Sequence, residues 1–446
     1  MNTLTIRPGA PLRGHVRVPG DKSISHRALL LGALAQGSSQ VSGFLPASDC
    51  LATLSCLRAL GVEIESHDET TLTVHGRGLH GLREPARAEH SPSAEHSPST
   101  APLNCLRSGT TMRLLAGLLA GQAFESALSG DEQLLRRPMR RISAPLRRMG
   151  AEIADQDGHA PLVMRGRRLR GHGHTLAMAS AQVKSALLLA GLYADGPTTV
   201  RQPGPARDHT ERMLAAMGAA IETHNLTVTL SPTASLSPLA LDVPGDISSA
   251  AFLLVGALLT PGSEITVEGV GVNPTRTGLL DVLEAMGAKI AQTNVRQQGN
   301  EPRADVTVCW TPELRGVEVA GDTVVRMIDE FPVLAVAATQ AHGTTRVRDA
   351  AELRVKETDR IATVAAELRK LGAQVEPRPD GFVVQGPTPL RGTTVNSHGD
   401  HRLAMALAVA GLIAQGETVI EDTACIADSF PGFETTLAEL RVKRKT

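Results

Sequence analysis

At 446 residues the chain exceeds what one hydrophobic core usually supports, so two domains are expected. A formal net charge of −1 gives no global field for nucleic acid, and 2% aromatics leave little surface for stacking bases. Hydrophobic residues at 42% and charged ones at 20% exclude a mostly disordered chain. From the amino terminus, residues 1–19 lack an apolar signal core and alternate like a strand at Leu4-Thr5-Ile6. The five cysteines (Cys50, Cys56, Cys105, Cys309, Cys425) contain no C-x-x-C pair and read as small buried groups in a reducing compartment. The longest apolar run, 403–414, is too short to span a bilayer. A cytoplasmic protein is expected.

Asp21-Lys22-Ser23-Ile24-Ser25-His26-Arg27 sets Lys22, Ser23 and Arg27 at the mouth of an apolar helix over 28–35. Helix N-termini present unpaired N–H groups and a positive dipole end, so the segment suits an anion. It is not a P-loop, because the glycine spacing is wrong. Residues 88–99 duplicate Ala-Glu-His-Ser-Pro-Ser and read as a surface-loop expansion, with His90 and His96 exposed rather than metal-ligating. Ser108-Gly109-Thr110-Thr111-Met112-Arg113 opens a second apolar helix, where Gly109 lets backbone approach a ligand. Arg136-Arg137-Pro138-Met139-Arg140-Arg141 is dense positive charge, most of which a solvated face would explain.

Ser180-Ala181-Gln182-Val183-Lys184-Ser185 and Arg207-Asp208-His209-Thr210-Glu211 precede further helices. Asp329-Glu330-Phe331-Pro332 carries two carboxylates into an apolar stretch, as helix caps or as groups for proton transfer. In Arg354-Val355-Lys356-Glu357-Thr358-Asp359-Arg360 a helix would put Lys356 and Arg360 on one face at i,i+4, with a surface charge network as the plain alternative. Asp400-His401-Arg402 leads into a last apolar helix, and no cluster has metal-ligand spacing.

A helix-end signature recurs: Leu57-Arg58-Ala59-Leu60-Gly61-Val62-Glu63-Ile64 is echoed around Gly150, Gly218, Gly287 and Gly372. Each copy reads as a last helical turn, a glycine at positive φ, then a strand. The spacing of roughly 70 to 90 residues is too long for a solenoid repeat and suggests six units, two lobes of three. Val18-Pro19-Gly20-Asp21 recurs as Val243-Pro244-Gly245-Asp246, which marks the chain crossings. One lobe is expected over 20–242 and the other from 1–19 with 243–446, with substrates in the cleft between them.

Taken together, PGDKSISHR, SGTTMR, RPM, SAQVKSA, RDHTE, NPTR (Asn273 to Arg276), IDEFPVLAVAA, RVKETDR and DHR resemble the EPSP synthases of the enolpyruvyl transferase family over 4–433. Several of these motifs look like the glyphosate-tolerant subgroup, class II. The resemblance implies an α/β fold of two lobes, each of three βαβαββ units, in the inside-out α/β barrel arrangement of enolpyruvyl transferases. It implies transfer of enolpyruvyl from phosphoenolpyruvate to shikimate 3-phosphate by addition and elimination, with no cofactor, metal, nucleic acid or membrane, in a monomer. By resemblance, Lys22, Ser23, Arg27, Ser180, Ala181, Gln182, Arg207, Asp329 and Lys356 hold shikimate 3-phosphate. Lys22, Gly109, Arg137, Gln182, Arg360 and Arg402 hold phosphoenolpyruvate, and Lys22, Asp329 and Glu357 are catalytic.

The chain departs from the family pattern at Leu106-Arg107, where Gly-Asn is usual, and at Asp428, where the common type has lysine. Two rival readings stand beside this one. One is an inactive or binding-only paralogue, and the other is the sister enzyme acting on a UDP-amino sugar, which needs a reactive loop cysteine. No cysteine lies between Cys105 and Cys309 to supply it.

Overall fold

The five signature glycines have the backbone the sequence demands: Gly61, Gly150, Gly218, Gly287 and Gly372 lie at φ +84°, +99°, +85°, +105° and +93°. Each helix closes with the same bond, from the N–H after the glycine to the carbonyl of a buried leucine. The pairs are Val62 to Leu57, Ala151 to Leu146, Ala219 to Leu214, Ala288 to Leu283 and Ala373 to Leu368, at 2.9–3.2 Å. The recurring Leu…Gly spacing is therefore a stop signal, satisfying carbonyls that the helix leaves open.

This computed structural model describes residues 2–85 and 100–441; the duplicated stretch 88–99 with His90 and His96 lies outside them. The described strands form six sheets, none closed on itself. Five have four strands, and the sixth pairs Thr3–Ile6 with Thr418–Glu421 and Thr394–Asn396. The repeating order is a parallel strand pair joined through a helix, then an antiparallel hairpin. Strands Gly173–Thr175, Thr198–Arg201, Ile221–His224 and Thr227–Leu230 illustrate it. This is the mixed α/β architecture of six βαβαββ-like units expected above.

The first helix of each unit is apolar nearly all round and buried: Lys22–Leu34, Gly109–Leu119, Ala181–Gly191, Ile247–Leu259, Phe331–Thr339 and His401–Ile413. A helix without a polar face must lie inside a core. Five of the second helices, Ser48–Ala59, Arg140–Arg148, His209–Ala216, Gly278–Ala285 and Arg360–Lys370, run into the signature glycines.

The chain divides into two compact units. A terminal unit comprises Met1–Pro19, Pro244–Gln297 and Pro302–Thr446, and a middle unit comprises Gly20–Val243 with Gln298–Glu301. Each has its own apolar core. The excursion Gln298–Glu301 had no counterpart in the expected division. It is the turn between strands Ile290–Gln298 and Glu301–Cys309, and Glu301 Oε1 accepts from buried His209 Nδ1 at 2.8 Å.

Candidate active site

The sequence-marked residues cluster at the N-terminal ends of the buried helices, in one set per unit. In the middle unit Asp21 caps helix Lys22–Leu34, accepting from Ile24 N at 2.9 Å. This fixes Lys22, whose Nζ lies 2.6 Å from Asp49 Oδ2. Ser23 is on the same turn, and its hydroxyl accepts from Arg207 Nη1 at 3.4 Å. Arg27 is buried one turn further in. It donates to Thr210 Oγ1 at 2.7 Å, Ser23 O at 2.8 Å and Ser185 Oγ at 2.8 Å, and burial pulls its pKa down to about 10. The motifs around Lys184 and Glu211 form the floor: Lys184 Nζ, fully buried, meets Glu211 Oε1 at 2.5 Å and Ala206 O at 3.2 Å, next to Arg207.

A hydroxyl chain joins two helix starts: His26 Nδ1 to Thr53 Oγ1, Thr53 to Thr111 and Thr111 to Ser108, each 2.7 Å. Burial drives the His26 pKa down to about 3, so it sits in this chain as neutral imidazole. Ser108 caps helix Gly109–Leu119, accepting from Thr111 N at 3.1 Å. Gly109 is pinched by charge, since a β-carbon there would stand 2.8 Å from Arg113 Nη1 and 3.0 Å from Arg137 Nη1. Gln182, one residue into helix Ala181–Gly191 behind its cap Ser180, accepts from Arg113 Nη1 at 2.5 Å and donates to Thr110 Oγ1 at 3.0 Å. Lys22, Ser23, Arg27 and Arg207 thus form one group, and Gly109, Arg137 and Gln182 another. Ala181 contributes backbone at the first helical position.

Leu106 takes φ +50°, and Arg107 turns outward, 3.7 Å from Asp131 with both side chains about half exposed. The unusual dipeptide therefore adds no guanidinium to the Gly109 turn.

The terminal unit centres on Arg360. Its guanidinium is 2% exposed and donates through Nε to Asp400 Oδ2 at 2.8 Å, through Nη2 to Glu357 Oε2 at 2.7 Å, and through Nη1 to Asp329 Oδ1 at 3.4 Å. Lys356 Nζ is 3.8 Å from the same Asp329 oxygen. Burial pushes the Lys356 ammonium below the usual lysine range, with Asp329 opposing. Lys356 and Arg360 do not share a helical face as expected. The segment 351–355 is a 3-10 turn, Lys356 is extended, and Asp359 caps helix Arg360–Lys370, accepting from Ala362 N at 3.1 Å. With Asp359 as a strong cap the helix starts only at Arg360 and leaves Lys356 outside it, so the i,i+4 relation never forms. Asp329 brings the two cations together instead.

Asp400 caps helix His401–Ile413, accepting from Arg402 N at 2.9 Å. Arg402 is buried, and its Nη1 has no hydrogen-bond partner among the described residues. Glu330 holds the cap position of helix Phe331–Thr339 but makes no cap bond to it. Asp428 lies in a short 3-10 turn, Thr423–Asp428.

Sequence reasoning missed Arg113, Asp49 and Asp400 as organisers. Arg113 was within reach: side chains on a helix lean toward its N-terminus, so a residue four past Gly109 lies over it. Asp49 and Asp400 carry no local signal for the cations they meet.

Comparison with known proteins bears on both sets. A family model described as EPSP synthase (3-phosphoshikimate 1-carboxyvinyltransferase) matches residues 6–437. The 3-phosphoshikimate 1-carboxyvinyltransferase of Desulforamulus reducens is 51% identical over 442 residues, covering 99% of this chain and 100% of that protein. That of Acidithiobacillus ferrooxidans is 53% identical over 433 residues, 97% of this chain and 96% of that protein. A solved EPSP synthase from Acinetobacter baumannii superposes with TM-score 0.86 at 44% identity, covering 98% of this chain and 97% of that one.

Proposed function

The chain belongs to the EPSP synthase family, and on that footing we propose how its own side chains carry that family's reaction. It is an enzyme of the shikimate pathway, a 3-phosphoshikimate 1-carboxyvinyltransferase. It moves the enolpyruvyl group of phosphoenolpyruvate to the 5-hydroxyl of shikimate 3-phosphate and releases phosphate.

The substrates bring roughly five negative charges together, so fixed cations are the first requirement, and guanidinium forks match carboxylate and phosphate best. We assign Lys22, Ser23, Arg27, Ser180, Ala181, Gln182, Arg207, Asp329 and Lys356 to shikimate 3-phosphate. Arg27, tied to Ser23, Ser185 and Thr210, chiefly holds Ser23 and the helix start in place. Lys22, Gly109, Arg137, Gln182, Arg360 and Arg402 take phosphoenolpyruvate. In the addition step Asp329 accepts the proton of the 5-hydroxyl as its oxygen attacks C2, while C3 gains a proton from Lys22 or Glu357. The tetrahedral ketal then loses phosphate while the group that protonated C3 takes a C3 proton back, restoring the enol ether. The observation that carries this reading is the Asp329 carboxylate set beside Arg360 and Lys356. A general base needs such a position, next to the cations that orient its substrate.

The test is phosphate release. Release only when shikimate 3-phosphate and phosphoenolpyruvate are both present supports the reading, and binding without release sinks it. Turnover with a UDP-amino sugar instead would identify the sister activity. No described helix is long and apolar enough to cross a membrane. We place the protein in the cytoplasm as a monomer, which fractionation and light scattering would check.

A further inference from the structure

Asn273-Pro274-Thr275-Arg276 takes no part in the assignments above, yet it is built with care. Asn273 Oδ1 accepts from Thr275 N at 2.9 Å and Thr275 Oγ1 at 2.8 Å, and Arg276 N donates to Asn273 O at 2.8 Å. This self-capped turn delivers a guanidinium that is 2% exposed into the core of the terminal unit. There Arg276 Nη2 donates to Asp246 Oδ1 at 3.0 Å and Ser248 Oγ at 2.8 Å. Asp246 in turn caps helix Ile247–Leu259, accepting from Ser248 N at 2.8 Å, and the Ser248 hydroxyl donates to Glu330 Oε1.

Glu330 directly follows Asp329. On the other side of Asp329, Arg326 Nε donates to Pro274 O at 2.6 Å and Nη2 to Thr277 Oγ1 at 3.1 Å. The segment bearing Asp329 is therefore fastened to the same turn from both flanks. We propose that the 273–277 turn is a clamp for Asp329, and that Arg276 is a positioning residue for the reaction.

The chemistry explains the need. Asp329 shares Arg360 and Lys356 with the anions proposed to bind there, so its own salt bridges weaken or redistribute when substrate arrives. A base that must keep its place through that exchange needs anchoring that does not depend on those cations. Glu330 supplies it: rather than capping its own helix, it binds through Ser248 to Arg276, inside a buried polar network where a satisfied hydrogen bond is stiff. A displacement of roughly 1 Å at a reacting group costs on the order of a hundredfold in rate.

The proposal rests on Asp329 acting as the base, and the experiment separates the two. Ser248→Ala, Arg276→Gln and Asp329→Asn would be made in the full chain. Each would be measured for kcat, for KM of both substrates, for shikimate 3-phosphate affinity by calorimetry, and for the pH profile of kcat. The clamp predicts that Ser248→Ala and Arg276→Gln lower kcat on the order of tenfold or more, weaken shikimate 3-phosphate affinity by a smaller factor than kcat, and alter the acid limb. Unchanged kcat and acid limb in the folded fraction, with only a lower Tm, would overturn it. Should Arg276→Gln fail to fold, Ser248→Ala decides by the same criteria. A dead Asp329→Asn beside normal Ser248→Ala and Arg276→Gln overturns the clamp alone. An active Asp329→Asn overturns the base assignment and the clamp with it.

Discussion

Arg360 and Asp400 hold each other by two hydrogen bonds, Nε to Oδ2 at 2.8 Å and Nη2 to Oδ1 at 3.2 Å, with both side chains buried. Removing Asp400 takes two hydrogen bonds from a buried guanidinium that Glu357 and Asp329 still hold, so Asp400→Ala should cost about 1.5–3 kcal/mol of stability. Urea unfolding measures this, and a loss under about 1 kcal/mol would refute the pairing's importance. The pH dependence has a definite sign. Burial alone would raise the Asp400 carboxyl, but the Arg360 guanidinium holds it below the ordinary range. Its stabilisation is therefore full above the unfolded pKa, about 3.9, and is lost as pH falls through the lower folded value. Asp400→Asn should flatten the acid side of the stability profile.

Lys22→Met should leave the fold intact and lower kcat/KM by at least about a hundredfold, the usual scale for losing one preorganised donor. The Nζ to Asp49 contact is partly exposed, so its loss should cost roughly 1 kcal/mol or less. Circular dichroism with steady-state kinetics checks both. Near-normal turnover would remove Lys22 from the machinery.

At Gly109 a β-carbon must displace Arg113 or Arg137, since it would come within 2.8 and 3.0 Å of their Nη1 atoms. Overpacking of this kind costs about 1–3 kcal/mol. We expect Gly109→Ala to raise the KM for phosphoenolpyruvate about tenfold or more and to alter that for shikimate 3-phosphate far less. Equal shifts in both constants would mean that the turn serves both substrates alike.

Lys356 loses its proton at a lower pH than an ordinary lysine, chiefly through burial. A binding contact that needs the ammonium should fail as pH rises through that lowered value. The KM for shikimate 3-phosphate should climb on the alkaline side, and Lys356→Arg, which stays charged, should move the climb upward. An alkaline limb that ignores the substitution would exclude Lys356 as its source.

What was legible in the sequence follows from the range of the forces involved. The five glycine helix ends were readable because positive φ beside an open leucine carbonyl has one cheap solution, and every signal lies within six residues. Lys22, Gly109 and Gln182 were readable because a cap, a short turn and an apolar run are contiguous. Arg360 was readable as a cation, but its partner Asp400 is forty positions away and no local pattern joins them. The helix start before Arg360 was in plain view as Asp359, a cap residue, and was outweighed by the attraction of an i,i+4 pairing. The excursion at Gln298–Glu301 was invisible, since its Gly-Asn turn resembles any hairpin.

The first strand of the chain, Thr3–Ile6, pairs antiparallel with Thr418–Glu421, and nearby Arg7 reaches Glu417 across 410 residues. During synthesis at about 5–20 residues per second, that strand waits on the order of 20–80 s for its partner. The middle unit has nearly its whole length by Val243 and can fold early, while the terminal unit stays open at one sheet until late. A ribosome-bound chain therefore carries an unpaired edge for most of its time in production. Chaperone demand in this protein should track the rate of translation beyond Pro244 rather than the strength of either core.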